Sequence, residues 1–353
     1  MRKIYLIRHA MPDIPLGERW CIGGQTDIPL GKLGHLQAAL LPFVPELRGV
    51  EKVFCSTLVR ARETALPLCP DPVQIPGLEE QRMGAWDGLP FTEIMRRFPE
   101  LYAARESDST RLPKGAEADD AVRLRMHAAL LQCLRQSSGD IAVVSHKSAI
   151  ASITGQRAKL GYTSVSVLEA DGDALAVQET GKLCKPDLDD DVCFTLLKAA
   201  GADAELIAHC EAAAALADEL CAALKKKGTV LNADLIHCAA LLHDLARAEK
   251  EHAALGAVWL RELGYPEIAE IVRQHHDPDS TAINEAAVVY IADKAVQGSA
   301  RVPIAGRFDH SLTKCKTPEA RAAHERRRQT AMIIQNEINR LCGATILQQE
   351  DKA

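Results

Sequence analysis

The 353-residue chain lacks a cysteine framework. Its eleven cysteines are odd in number, scattered and never spaced Cys-x-x-Cys. That excludes a zinc ribbon and a disulfide scaffold, and it fits the reduced thiols of a cytoplasmic protein. An excess of positive charge is also missing: the net charge is −6, with 25% of residues charged. Neither nucleic acid nor a membrane surface is therefore expected as an obligatory partner. No long apolar run is present at the start, where an apolar stretch of about five residues is broken by Arg8, too short for a signal-peptide core or a membrane span. What is left is ordinary globular composition, 47% apolar, at a length that predicts two domains.

Short β-like runs, KIYLIR (3–8), KVFCS (52–56), IAVVS (141–145), SVSVLE (164–169) and ALAVQE (174–179), mark the first half. Helical patterns near 34–48, 58–69, 91–105 and 117–137 alternate with them. This predicts an α/β domain over 1–181, with a mostly parallel sheet and helices on both faces. A Gly-, Pro- and Asp-containing stretch without apolar periodicity reads as a linker over 182–191. Beyond it, helical spacing recurs near 203–227, 232–247, 252–264, 266–276, 284–298 and 317–341 with no strand pattern, so 192–353 reads as an all-α domain.

Two histidines and two arginines converge in the first half. Arg8 and His9 follow IYLI, His146 follows IAVVS, and Arg60 lies in the helix after KVFCS. In an open parallel sheet, ligands bind outside the carboxyl ends of the strands. Guanidinium forks there suit phosphoryl oxygens, one imidazole could attack phosphorus and another neutralise a developing charge. A leaving alkoxide needs a proton, for which Glu80 in GLEEQRMGAWDG is the candidate acid and Glu79 the alternative.

These four stretches, LIRHA, STLVRARETA, LEEQRMGAWDG and VVSH, occur in the order found in the histidine phosphatase (phosphoglycerate-mutase-like) superfamily, which residues 1–180 resemble. The resemblance implies His9 as a nucleophile that becomes phosphohistidine, Arg8, Arg60 and His146 as the phosphate pocket, Glu80 as proton donor, and no metal. CIGGQTDIPLGKLG (21–34) is similar to the loop of alpha-ribazole phosphatases. With a short insertion before His146, this favours phosphatase over mutase. Ala10 stands where that family usually has Gly, and Lys147 where a Gly usually follows the second histidine; Lys147 would add charge to the pocket.

The second half carries His209, then His243-Asp244, His252, His275-His276 and Asp293. Imidazole and carboxylate together suit Mn, Fe, Zn or Mg. Asp293 is the most telling, since a carboxylate in an apolar helical stripe is costly unless paired or liganded. The order resembles the HD-domain phosphohydrolases over residues 192–300. The resemblance implies His209, His243, Asp244 and Asp293 as ligands of one divalent ion, with His252 and His275 as in the two-ion subset, which includes enzymes that hydrolyse diadenosine tetraphosphate. Arg247 stands where many members have Lys. His237, His276 and Lys147 read as satisfied core or surface groups, and Arg326-Arg327-Arg328 as a solvated face of a packing or homodimer helix over 318–341.

The expectation is a two-domain phosphohydrolase for a small phosphorylated metabolite or nucleotide, with a metal-free phosphohistidine site and a separate metal site. One alternative is a phosphatase whose helical domain senses nucleotides. Another is a non-enzymatic phosphate-ligand binder, which would need arginines but neither His9 nor Glu80.

Overall fold

The computed structural model describes residues 1–342 and Leu347, apart from 109 and 184. The chain divides into two units, Met1–Pro186 and Asp187–Ala353.

The first unit runs β1 (Arg2–Arg8), β2 (Trp20–Cys21), α1 (Lys32–Ala39), β3 (Lys52–Cys55), α2 (Val59–Ala65), β4 (Val73–Gln74), β5 (Leu89–Pro90), α3 (Phe91–Arg97), α4 (Pro99–Ser107), α5 (Asp119–Arg135), β6 (Ile141–Ser145), α6 (Lys147–Thr154), β7 (Val165–Asp171) and β8 (Ala174–Lys182). Six strands form one sheet in the order β4-β3-β6-β1-β7-β8. It is parallel from β4 to β1 and antiparallel at β1-β7 and β7-β8. β1 and β6 are apolar without alternation because both faces of the sheet are covered. Ile4, Leu6, Ile141 and Val143 pack with Met126 and Leu130 of α5 and Ile150 of α6, whereas Tyr5, Ile7, Ala142 and Val144 pack with Ala61 and Ala65 of α2.

This arrangement positions the site. The chain leaving β3 covers one face through α2, and the chain leaving β6 covers the other through α6, so the carboxyl ends of β1, β3 and β6 open on a crevice. Register sets the heights: Arg8 pairs with Ser145 and Cys55 with Val144. His9 N donates to Ser145 O at 2.9 Å, and Ser56 N to Val144 O at 2.9 Å. His9, Ser56 and His146 thus emerge side by side.

The second unit comprises α7 (Asp190–Ala199), α8 (Ala204–Lys226), α9 (Ala233–Leu242), α10 (His252–Glu262), α11 (Pro266–Arg273), α12 (Glu285–Lys294), β9 (Val296–Gln297), β10 (Ala300–Arg301), α13 (Ile304–Leu312) and α14 (Pro318–Cys342). Asp189, Asp203, Asn232 and Asn284 each cap a helix by accepting from a backbone N–H three residues on. α8, α9 and α12 bury Ala213, Ala217, Ala239, Ala240, Ala287 and Ala292, small side chains that let helices approach closely.

Two sequence expectations need correction, and a third is refined. The stretch 182–191 is not all linker, because Lys182 closes β8 and Asp190 opens α7; its acidic cluster caps a helix and sits at the positive end of the helix dipole. The second unit is helical as expected, with one short addition: α12 stops at Lys294, and the two-residue strands β9 and β10 pair around Gly298, whose φ is +58°. Arg327 and Arg328 are not simply solvated, since Arg327 pairs with Asp277 at 2.6 Å and Arg328 with Asp309 at 3.1 Å. Among the described residues, no helix is long and apolar enough to cross a membrane.

Gly34, inside α1, backs onto the chain just past His9: a Cβ there would lie 2.0 Å from Met11 O. Glycine to alanine in a helix interior ordinarily stabilises by up to about 1 kcal/mol, but here overpacking dominates. Gly34→Ala is expected to lower stability of the first unit by about 1 kcal/mol or more, read from the urea midpoint of Trp20 and Trp86 fluorescence. An unchanged or raised midpoint would refute the contact.

Candidate functional site

Past β1, the Nδ1–H of His9 donates to the Ala10 carbonyl at 2.7 Å, which fixes the tautomer and leaves the Nε2 lone pair free. Ala10 itself is buried, and its N–H donates to Thr64 Oγ1 at 2.9 Å. The His146 ring centroid lies 4.9 Å from that of His9, and His146 Nε2 is 2.8 Å from Ser56 Oγ. Burial, then the charges of Arg60 and Arg8, holds His9 well below the ordinary imidazole value; burial, Arg60 and His9 do the same for His146. Both imidazoles are neutral.

Arg60 is wholly buried and donates to Thr26 O at 2.7 Å and Gly23 O at 3.2 Å. The 21–34 loop therefore wraps this guanidinium, and its Asp27 also accepts from Val59 N at the start of α2. Arg8 donates to Leu160 O at 2.9 Å and lies 3.9 Å over the Tyr162 ring. The Nε of each arginine is buried without a partner, as is His146 Nδ1. Burial draws both guanidiniums below their ordinary value. Orphaned donors around two cations are the chemistry of an anion seat.

Glu80 is 7% exposed and accepts from Ser148 N at 3.0 Å and Ala149 N at 3.2 Å, the first turn of α6. Glu79 is turned elsewhere, accepting from Thr57 Oγ1 and Gly77 N, both at 2.7 Å. Of the two candidates, Glu80 lines the same pocket as Arg8 and His9, a cavity of about 630 Å³. Sequence reading missed the clamp beneath it. Arg125 of α5 donates to the carbonyls of Gly77, Glu79 and Glu80 and pairs with Glu117 at 2.8 Å. It also missed Asp87, which accepts from Gly23, Gln25 and Met83 backbone N–H groups and ties the 21–34 loop to the acid loop. Both read as ordinary surface charges in sequence. Lys147, which sequence allows either as an added pocket charge or as a surface group, lines the pocket.

In the second unit, His209, His243 and Asp244 form one group of mutually close ligand atoms and His252, His275 and His276 another, all such atoms within 4.8 Å of one another in each. Asp293 Oδ1 is 3.3 Å from His209 Nε2 and 3.8 Å from His243 Nε2. Asp244 joins the groups, its Oδ1 lying 3.0 Å from His252 Nε2 and 3.6 Å from His275 Nε2. His276, expected to be a bland histidine, contacts His252 Nε2 at 2.9 Å and belongs to the cluster. His237 is apart from it, held between Asp190 and Asp218.

The donor set fits divalent cations. His243 and His275 each donate Nδ1–H to a carbonyl of their own chain at 2.7 Å, and each leaves a buried Nε2 with no partner. Burial pushes His243 down to about 4 against the pull of Asp244 and Asp293, so its lone pair is available. Asp293 is wrapped by Lys294 and by Arg307 at 3.1 Å, two cations that sequence reading did not anticipate.

The neutral pair in the first unit has a thermodynamic consequence. Below about pH 6.5 an unfolded histidine takes up a proton, whereas buried His9 and His146 do not. The unfolded state then binds more protons, so stability falls as pH drops, by up to roughly 1.4 kcal/mol per pH unit per group. Denaturation of the first unit between pH 7.5 and 4.5, in phosphate-free buffer, should show this slope, and His146→Gln should flatten it. An unaltered slope in the variant would show that His146 is not its source.

Comparison with known proteins agrees with this geometry. Residues 4–181 match the family model of the histidine phosphatase superfamily (branch 1), and residues 206–296 that of the HD domain. A metal-independent phosphoserine phosphatase of Arabidopsis thaliana is 30% identical over 163 residues, 43% of this chain and 66% of that protein. A glucosyl-3-phosphoglycerate phosphatase of Mycobacterium tuberculosis is 28% identical over 193 residues, 51% of this chain and 86% of that one. The solved alpha-ribazole phosphatase of Shigella flexneri is 22% identical, with a TM-score of 0.44, covering 53% of this chain and all of that one (100%). The chain belongs to the histidine phosphatase superfamily through its first unit, and its second unit carries an HD domain.

Proposed function

We propose that the protein is a phosphohydrolase with two sites: a phosphomonoesterase at His9 and a metal-dependent phosphohydrolase at the His-Asp cluster. The observation that carries the first is the set of orphaned cationic donors, Arg8 Nε and Arg60 Nε, beside a neutral His9 of fixed tautomer. The named phosphatase relatives, acting on phosphoserine and glucosyl-3-phosphoglycerate, support a small phosphorylated metabolite as substrate.

In this reading Arg8, Arg60 and His146 hold the phosphoryl oxygens and His9 Nε2 attacks phosphorus as the P–O ester bond breaks. The leaving oxygen takes a proton from Glu80. Water then attacks the phosphohistidine, Glu80 takes a proton back, and inorganic phosphate leaves as the N–P bond breaks. Arg125 is a positioning residue, holding the carbonyls that carry Glu80.

In the second unit, His209, His243, Asp244 and Asp293 would hold one divalent ion and His252, His275 and His276 would contribute to a second. Such ions would supply Lewis acidity at a phosphoryl group of an ester or nucleotide. Asp244 lies between the groups, and Lys294 and Arg307 orient Asp293 and balance its charge. The orphaned Nε2 atoms of His243 and His275 favour this reading.

Phosphate release should separate into chelator-resistant and chelator-sensitive parts. His9→Ala is expected to reduce the former at least about 10³-fold and spare the latter, with Asp244→Ala doing the reverse. Full activity of both kinds in both variants would sink these assignments. Arg125→Gln should lower kcat for the chelator-resistant reaction about 10- to 100-fold with KM nearly unchanged; a change confined to KM would contradict a positioning role.

A further inference from the structure

The pocket over His9 holds more positive charge than one phosphoryl group uses. Beyond the phosphate cradle it is lined by Arg19, Arg105, Lys147 and Arg157, and its lining carboxylates are Glu18 and Glu80. Glu18 accepts from Trp20 Nε1 at 2.9 Å, and Glu80 is occupied by the backbone of α6. Among the described residues, Arg19, Lys147 and Arg157 have no carboxylate partner. Arg19 lies 4.9 Å over the Phe91 ring, and Arg157 donates to the Ser148 hydroxyl at 2.6 Å. Lys147 is half-buried whereas Arg19 and Arg157 are exposed at the pocket's rim, and burial, then Arg8, Arg157 and Arg19, depresses the Lys147 ammonium below its ordinary value.

The rest of the lining is apolar and aromatic, with Trp20, Met83, Trp86, Phe91 and Tyr102 among it. A cavity of about 630 Å³ has room for a substrate body well beyond the phosphoryl group itself. Such a wall rewards a carbon skeleton, and unpaired cations set into it reward an anion carried on that skeleton.

We infer that the ester hydrolysed at His9 carries a second anionic group, a carboxylate or another phosphate, seated by Lys147 and Arg157 with Arg19. This rests on the His9 reading and narrows its substrate class. Lys147 follows His146 directly and Arg157 reaches the same turn through Ser148, so the second seat is built beside the first.

The test uses the full chain in excess chelator and compares kcat/KM within matched pairs. O-phosphoserine against phosphoethanolamine isolates a carboxylate, and a sugar bisphosphate against the corresponding monophosphate isolates a second phosphate. At least one pair should favour the doubly anionic member by about 10- to 100-fold, mainly in KM, and which pair does so identifies the group. Lys147→Gln and Arg157→Gln should shrink that ratio to within about 3-fold, while Lys147→Arg should keep most of it. Ratios near one in both pairs, with His9-dependent turnover of all four esters, overturn the inference and leave the His9 reading standing. So does a large ratio that both glutamine variants leave untouched. Absence of chelator-resistant release from every ester overturns the His9 reading and the inference with it.

Discussion

Two guanidinium groups are held out of water at the carboxyl edge of the first unit's sheet, and much of that unit exists to tolerate them. Burying an uncompensated cation costs several kcal/mol, and among the described residues neither Arg8 nor Arg60 is given a carboxylate in contact. Main-chain carbonyls take their place: Leu160 for Arg8, and Gly23 and Thr26 for Arg60. This explains why the 21–34 loop folds back over α2 and why Asp87 ties that loop to the acid loop. It also keeps the adjacent imidazoles neutral, since two nearby cations oppose a third and a fourth. An electropositive, partly unsatisfied cavity is stable only because the sheet and helices around it are densely packed.

The second unit reverses the sign. There Asp244 and Asp293, each nearly inaccessible at 3%, sit among imidazoles, of which those of His243 and His275 keep a buried Nε2 without a partner among the described residues. Lys294 and Arg307 lean on Asp293 and stop its charge from being stranded in a helix whose buried stretch before it is alanine, valine, tyrosine and isoleucine. The two units thus carry clusters of opposite sign, buried guanidiniums beside imidazoles in one and buried carboxylates among imidazoles in the other.

What could be read from sequence follows from locality. β1 and β6 announce themselves because strands covered on both faces become unbroken apolar runs, and the polar residues ending them stand out against that background. Asp293 stands out for the same reason. Lys294 does not, because a lysine in an amphipathic helix usually reaches water, and only the packing of α12 decides that this one cannot. Arg125 reads as a surface residue of α5 until the acid loop crosses it. The helices α7 and α13 lie outside the expected helical blocks although each buries an apolar stripe, Val192, Cys193, Leu196 and Leu197 in one and Ile304 and Phe308 in the other, whereas the alanine-rich α8 stands out by its length. His276 was passed over because its neighbour His275 already fitted the expected ligand order; its meeting with His252 is a tertiary event.

Among the described residues, the two other than glycine with positive φ both adjoin residues of the two clusters. Thr163 (φ +53°) follows the Tyr162 that covers Arg8, and Glu251 (φ +51°) precedes His252. Strain of this kind persists where surroundings over-determine it. The seat of Glu80 has the opposite character, because its donors are the main-chain N–H groups of residues 148 and 149, which any side chain at those positions supplies. Position 147, between that seat and His146, is therefore free to vary without disturbing either. The anchorage of Glu80 is thus written in backbone, out of reach of a side-chain exchange at position 147.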